Sequence, residues 1–161
     1  MFRWIVTFCL LAFPAFAQDV KLDAKNCFRA LPSLISGLNE LWQQPNFAQY
    51  IQVCPITRTP TSPIALTVLI LRLDQMYADN FPMPDTFKIP NPELLNNHGK
   101  WIGSLPEEFP TDGPGELQVT FTDWQNDFPH KIELFQAGKS ALAPHPAPPM
   151  TWKDNRFVWP Y

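Results

Sequence analysis

No stretch of this 161-residue chain concentrates positive charge, because its 12 lysines and arginines are scattered among 15 acidic residues. Nucleic acids and anionic membranes are bound through basic patches, so neither is expected as a partner. Histidine is scarce as well. The three, His98, His130 and His145, are far apart and make no H-E-x-x-H pair for a zinc hydrolase. A G-x-S-x-G elbow is missing; "WIGSLP", around Ser104, lacks the second glycine, and pairing Ser104 with His98 or His130 is an arbitrary choice in a chain of this size. No glycine-rich phosphate loop is present, since the proline in "DGPGE" removes one of the amides such a cradle uses. There is no C-x-x-C redox pair, no internal repeat and no N-x-S/T site. No cofactor is implied.

What is present begins with an address. Arg3, the apolar run "WIVTFCLLAF", Pro14 and the small residues of Ala15-Phe16-Ala17 form the layout of a secretory signal over residues 1–17, with cleavage expected before Gln18. The run is too short to span a bilayer comfortably, and Cys9 lies inside it rather than after it, where a lipid would be attached. The later apolar run "LTVLIL" is interrupted by Arg72 and Asp74, so no membrane span is expected after the leader. The expectation is a single mature domain, 18–161, periplasmic or secreted. The short leader and the missing glycosylation site point to a bacterium. Without Arg3 the mature chain has 11 basic against 15 acidic side chains, a net charge of about −4.

Proline is abundant, at 19 residues, against an average usage of about 5%. Hydrophobic residues make up 45% of the chain, too many for a disordered protein. A folded domain with proline-stiffened connections follows. Cys27 and Cys54 remain after the leader, and in an oxidising compartment an isolated pair reads as one disulfide. Closing that loop is worth about 3 to 4 kcal/mol on the chain-entropy model.

Periodicity predicts an α+β fold, with about three N-terminal helices in 28–80 packed on a small antiparallel sheet from the C-terminal third. "LPSLISGLNELWQQP" places Leu31, Leu34, Ile35, Leu38, Leu41 and Trp42 at helical spacing. "NFAQYIQVCP" reads as a second helix capped by Asn46. "TSPIALTVLILRLDQMYADN" reads as the central helix, capped by Ser62 and opened by Pro63, although β-branched Thr67, Val68 and Ile70 allow a strand over "LTVLIL". Residues 81–115 are read as a proline-rich irregular segment with one short helix between Asn91 and Gly99. In 116–161 the period changes to two. "ELQVTFTDW" and "HKIELFQ" predict a hairpin with a five-residue loop, and "NRFVW" a third strand that brings Phe157 and Trp159 back onto the core.

Candidate sites are few. Asp123, Asp127, His130 and Glu133 fall within eleven residues, but Phe128 and Leu134 occupy the calcium-loop positions that need glycine and glutamate. They read as a polar hairpin tip, and no metal site is assigned. Glu107 and Glu108 are neighbours, which on an extended chain point opposite ways. The remaining signal is aromatic: Trp101, Trp124, Trp152 and Trp159, with Phe157 and Tyr161. Flat aromatic side chains build binding surfaces as well as cores.

The sequence therefore favours a small exported binding protein, of the inhibitor or immunity type, with another protein or a glycan as partner and the four tryptophans as contacts. A hydrolase of cell-wall or polysaccharide material and a structural accessory of an envelope assembly are the alternatives. Intact-mass measurement of the exported protein should give Gln18–Tyr161 less two hydrogens, with no thiol titrating after unfolding. A mass that includes the leader, or two reactive thiols, would refute the export and the disulfide respectively.

Overall fold

Strands, not helices, dominate the described chain. The computed structural model describes residues 19–35, 38, 40, 42, 43, 47–83, 88–105, 117–136, 139, 140 and 149–160. The leader, the Glu107-Glu108 pair and most of "APHPAPP" lie outside them. In order come β1 (Val20–Lys21), a 3-10 turn (Ala24–Asn26), β2 (Phe28–Arg29), α1 (Pro32–Ile35), β3 (Ile51–Thr57), β4 (Ile64–Leu71), α2 (Leu73–Ala78), β5 (Glu93–Asn96) and β6 (Trp101–Ser104). The C-terminal part holds β7 (Leu117–Gln125), β8 (Phe128–Gln136), β9 (Lys139–Ser140), β10 (Met150–Lys153) and β11 (Arg156–Val158).

Two antiparallel sheets result. One runs β1-β7-β8-β10-β11, with β9 also pairing β8; the other runs β2-β3-β4-β5-β6. This overturns the expected helices packed on a single sheet. Between the sheets, Cys54, Ile56, Leu66, Val68, Ile70 and Leu94 meet Val119, Phe121, Ile132, Leu134, Met150 and Phe157. On its other face the second sheet carries Ile51, Val53, Leu69, Leu71 and Leu95, covered by Trp42, Phe47, Tyr50 and Met76. Its central strands are thus buried on both sides.

That double burial explains the error in the helix assignment. A strand with one wet face alternates, whereas a strand with two dry faces is apolar throughout and resembles a buried helix. "IALTVLIL" pairs with β3 from Ile51↔Leu71 to Ile56↔Leu66. Ser62 does not cap a helix but closes the β3–β4 turn, its amide bonded to the Thr59 carbonyl at 3.1 Å and its hydroxyl to that of Thr59 at 2.8 Å. Of the expected central helix, only α2 beyond Arg72 is helical. The expected second helix reduces to a turn at Ala48–Tyr50 leading into β3, and the helix expected over 31–45 is described only at Pro32–Ile35. Tyr50 packs edge-on to Phe81 at 5.5 Å. Burial pushes its phenol above the ordinary value, and a hydrogen bond with Asp79 just past α2 adds to the shift.

The short helix expected after Asn91 is also corrected. Glu93–Asn96 is a strand, and Gly99, at φ 75°, belongs to the turn into β6. Asn96 holds that turn, its Oδ1 accepting from the His98 and Lys100 amides at 2.9 Å each. A short polar side chain that bonds nearby amides favours such a turn over a helix.

The C-terminal strands follow the period-two reading, with a tighter turn. β7 and β8 are joined by Asn126 and Asp127 alone, at φ 48° and 60°, rather than by five residues. Two consecutive positive-φ residues make the twist of a two-residue hairpin loop, and Asn and Asp tolerate them best after glycine. Asp154 and Asn155, at φ 51° and 61°, repeat the device between β10 and β11. β10 is a strand that the sequence did not disclose. β11 ends its sheet, so Pro160 follows an edge strand.

Two links tie the edges of the fold. The Cys27–Cys54 disulfide ties the chain entering β2 to the centre of β3. At the opposite edge β6 approaches β11. A Cβ on Gly103, at φ 153°, would lie 3.2 Å from Phe157 Cβ and 3.3 Å from its carbonyl oxygen. A side chain there would have to push Phe157 aside and adopt a φ that glycine takes most readily. Buried Met150 and Phe157 contribute ~1.5–3 kcal/mol each. Ending the chain after Met150 should abolish the cooperative thermal transition or produce aggregation, since it strips Phe157 from the core and uncovers β8. An unchanged melting temperature would show that the C-terminal hairpin is not part of the core.

Candidate functional site

Large aromatic side chains are mostly buried, yet Trp101 is 50% exposed. β5 and β6 form an antiparallel pair in which Glu93 faces Ser104 and Leu94 faces Gly103, but Leu95 faces Trp101. The register therefore shifts by one residue and Ile102 is the extra one. Residues three apart on a regular strand point to opposite faces; the inserted residue brings Trp101 and Ser104 to the same face. Glu93 and Leu95, two apart on β5, point the same way. The shift gathers Glu93, Leu95, Trp101 and Ser104 on the side of the sheet away from the sandwich core.

Hydrogen bonds lock that group. The Trp101 indole N–H donates to Glu93 Oε2 at 2.7 Å and lies 3.3 Å from Ser104 Oγ. The Ser104 hydroxyl lies 2.6 Å from the same Glu93 oxygen. Bonds to a carboxylate are about twice as strong as neutral ones, so the ring is held by its polar edge. Around it lies an open groove of about 500 Å³, with Leu38, Trp42 and Leu95 as apolar walls and Gly99 at its rim. That volume lies within the span of about 300–1,000 Å³ typical of small-molecule sites.

The other expected contacts do not join it. Trp124 is 7% exposed, packs between the sheets and donates its indole N–H to the Phe121 carbonyl at 3.0 Å. Trp152 is half-buried, its ring 4.7 Å from Phe128 and 5.1 Å from Phe157. Trp159 is half-buried against the same core. The acidic hairpin tip is dispersed. Asp127 pairs with Arg58 at 3.4 Å, a partly exposed bridge worth ~0–1 kcal/mol, while His130 lies edge-on to Phe128 at 6.0 Å. Among the described residues no three histidines, cysteines or acids come together as metal ligands.

A second groove, about 440 Å³, lies between β1 and the β3–β4 turn. Its charged residues, Asp19, Lys21 and Arg58, are of both signs, and Arg58 is already paired with Asp127. The Trp101 groove is the more specific of the two. Glu93 was obscured in the sequence by the helical reading of "NPELLNNHG", and Ser104 by the search for a nucleophile. Read as a hairpin around Asn96 and Gly99, "ELLNNHGKWIGS" would have placed both beside Trp101.

No family model, curated protein or solved structure matches this chain. The two tryptophans exposed and buried by the fold should respond differently to truncation. Trp124→Ala should cost about 3–5 kcal/mol in denaturant unfolding, by cavity formation. Trp101→Ala should cost under about 1 kcal/mol, the size of a surface change that loses one hydrogen bond. Equal losses would contradict the assigned burial.

Proposed function

We propose that this chain is an exported binding protein that engages its partner through the β5–β6 face around Trp101. The observation that carries the reading is a large aromatic side chain left half in water yet fastened by Glu93 and Ser104. A side chain held in place before contact loses little rotamer entropy on binding, and buried tryptophan is among the strongest contributors at interfaces. The Cys27–Cys54 disulfide suits an oxidising compartment, periplasmic or extracellular, and no described helix is long and apolar enough to cross a membrane.

The partner is another secreted protein, which the chain would serve as an inhibitor or immunity-type protein, or a glycan. The groove supports binding better than bond cleavage. Glu93 is the only acid among its described lining residues, whereas glycosidic hydrolysis uses two facing carboxylates. Capture experiments on envelope and culture-medium fractions of the source cell should recover a partner with the wild-type protein. Trp101→Ala, with its melting temperature preserved, should lose it. Equal capture by both proteins would move the contact surface elsewhere.

A further inference from the structure

We infer that the groove beside Trp101 takes a neutral saccharide, a ligand assignment that rests on the binding reading above. The inference follows from which hydrogen-bonding capacity is already used. The indole N–H of Trp101 is committed to Glu93 and Ser104, and the Ser104 hydroxyl reaches the same carboxylate oxygen. Two of the groove's three side-chain donors are thus spent within it, and the third, the Trp42 indole N–H, is buried without a hydrogen-bond partner among the described residues. What faces a ligand is acceptor capacity: Glu93 Oε1, which has no partner among the described residues, and the remaining lone pairs of Glu93 Oε2 and Ser104 Oγ.

A ligand must therefore bring donors. Phosphate, sulfate and carboxylate groups bring acceptors and negative charge against a carboxylate that has no cation among its described groove neighbours. A purely apolar ligand would desolvate Glu93 without replacing its water, at a cost that rises steeply for a charged group. The ligand must also present a flat apolar face, because Trp101 offers its ring while its polar edge is tied back. A sugar ring combines these properties: C–H groups on one face, and adjacent hydroxyls at its edge spaced for a carboxylate. An aromatic cage for a methylated ammonium needs several accessible ring faces. Trp42, the groove's other aromatic among the described residues, is 0% exposed, so Trp101 alone presents one.

The test uses neutral hexasaccharides of glucose, mannose and N-acetylglucosamine titrated into the full protein, followed by the Trp101 indole N–H resonance and by calorimetry. At least one should bind with a saturable shift of that resonance. Trp101→Ala and Glu93→Gln should each weaken binding by about tenfold or more, while Trp101→Phe, which keeps a ring, should retain part of the affinity. Melting temperatures within about two or three degrees of wild type separate these losses from unfolding. Failure of all three sugars to move the resonance overturns the saccharide assignment. A shift produced instead by tetramethylammonium or by a lysine-rich peptide also overturns it, and leaves the groove a binding site of another class. Silence of every probe, together with unimpaired partner capture by Trp101→Ala, overturns both the ligand and the surface.

Discussion

Beyond its exposed start at Ile64, strand β4 has both faces covered, and the rest of the structure is arranged to keep them so. Leu66, Val68 and Ile70 need the first sheet over them, while Leu69 and Leu71 need the layer formed by Trp42, Phe47, Tyr50 and Met76. Each such side chain contributes ~1.5–3 kcal/mol when buried, so neither covering layer is dispensable to a domain whose net stability is only 5–15 kcal/mol. The covering layer on the second face comes from short helices and irregular chain rather than a third sheet. The disulfide fastens the chain just before β2 to β3 on the other face, Cys54 lying in the inter-sheet core and Cys27 packing against it.

The candidate site is a by-product of the same constraint. A sheet buried on both faces exposes large side chains where its cover ends, and Trp101 stands on β6, an edge strand. There the register shift opposite Leu94 and Leu95 sends Ile102 into the inter-sheet core and keeps Trp101 and Ser104 together outside. Gly103, in the same irregular stretch, accepts the close approach of Phe157 from β11. One local distortion therefore joins the two sheets on one side and builds a polar-edged aromatic platform on the other. Bulges at sheet edges commonly re-aim side chains in this way.

The two-residue turns at Asn126-Asp127 and Asp154-Asn155 are equally economical. Each sets the register of its hairpin without glycine. Each keeps polar side chains at the tip, where Asp127 reaches Arg58 of the β3–β4 turn and bridges the two sheets at the surface. The bridge adds little energy at that exposure; its effect is on alignment.

The sequence by itself determined the features that depend on local chemistry or on polar–apolar alternation. The alternation in "ELQVTFTDW" and "HKIELFQ" was legible because polar residues occupy nearly every second position, and the Cys27–Cys54 pair because the third cysteine, Cys9, lies inside the apolar run read as a leader. Phe157 could be assigned to the core for the same reason, as an aromatic residue in a β-branched edge strand. The tertiary structure decided the rest. Apolar residues at every position of "IALTVLIL" but Thr67 satisfy a buried helix and a doubly covered strand alike, and only the presence of a layer on each side selects the strand. It also separated the tryptophans. Trp101 and Trp124 are the same residue in similar local surroundings, and what divides them is whether a second sheet lies over the ring. Local sequence does not encode that, because it is a property of chain segments brought together from far apart.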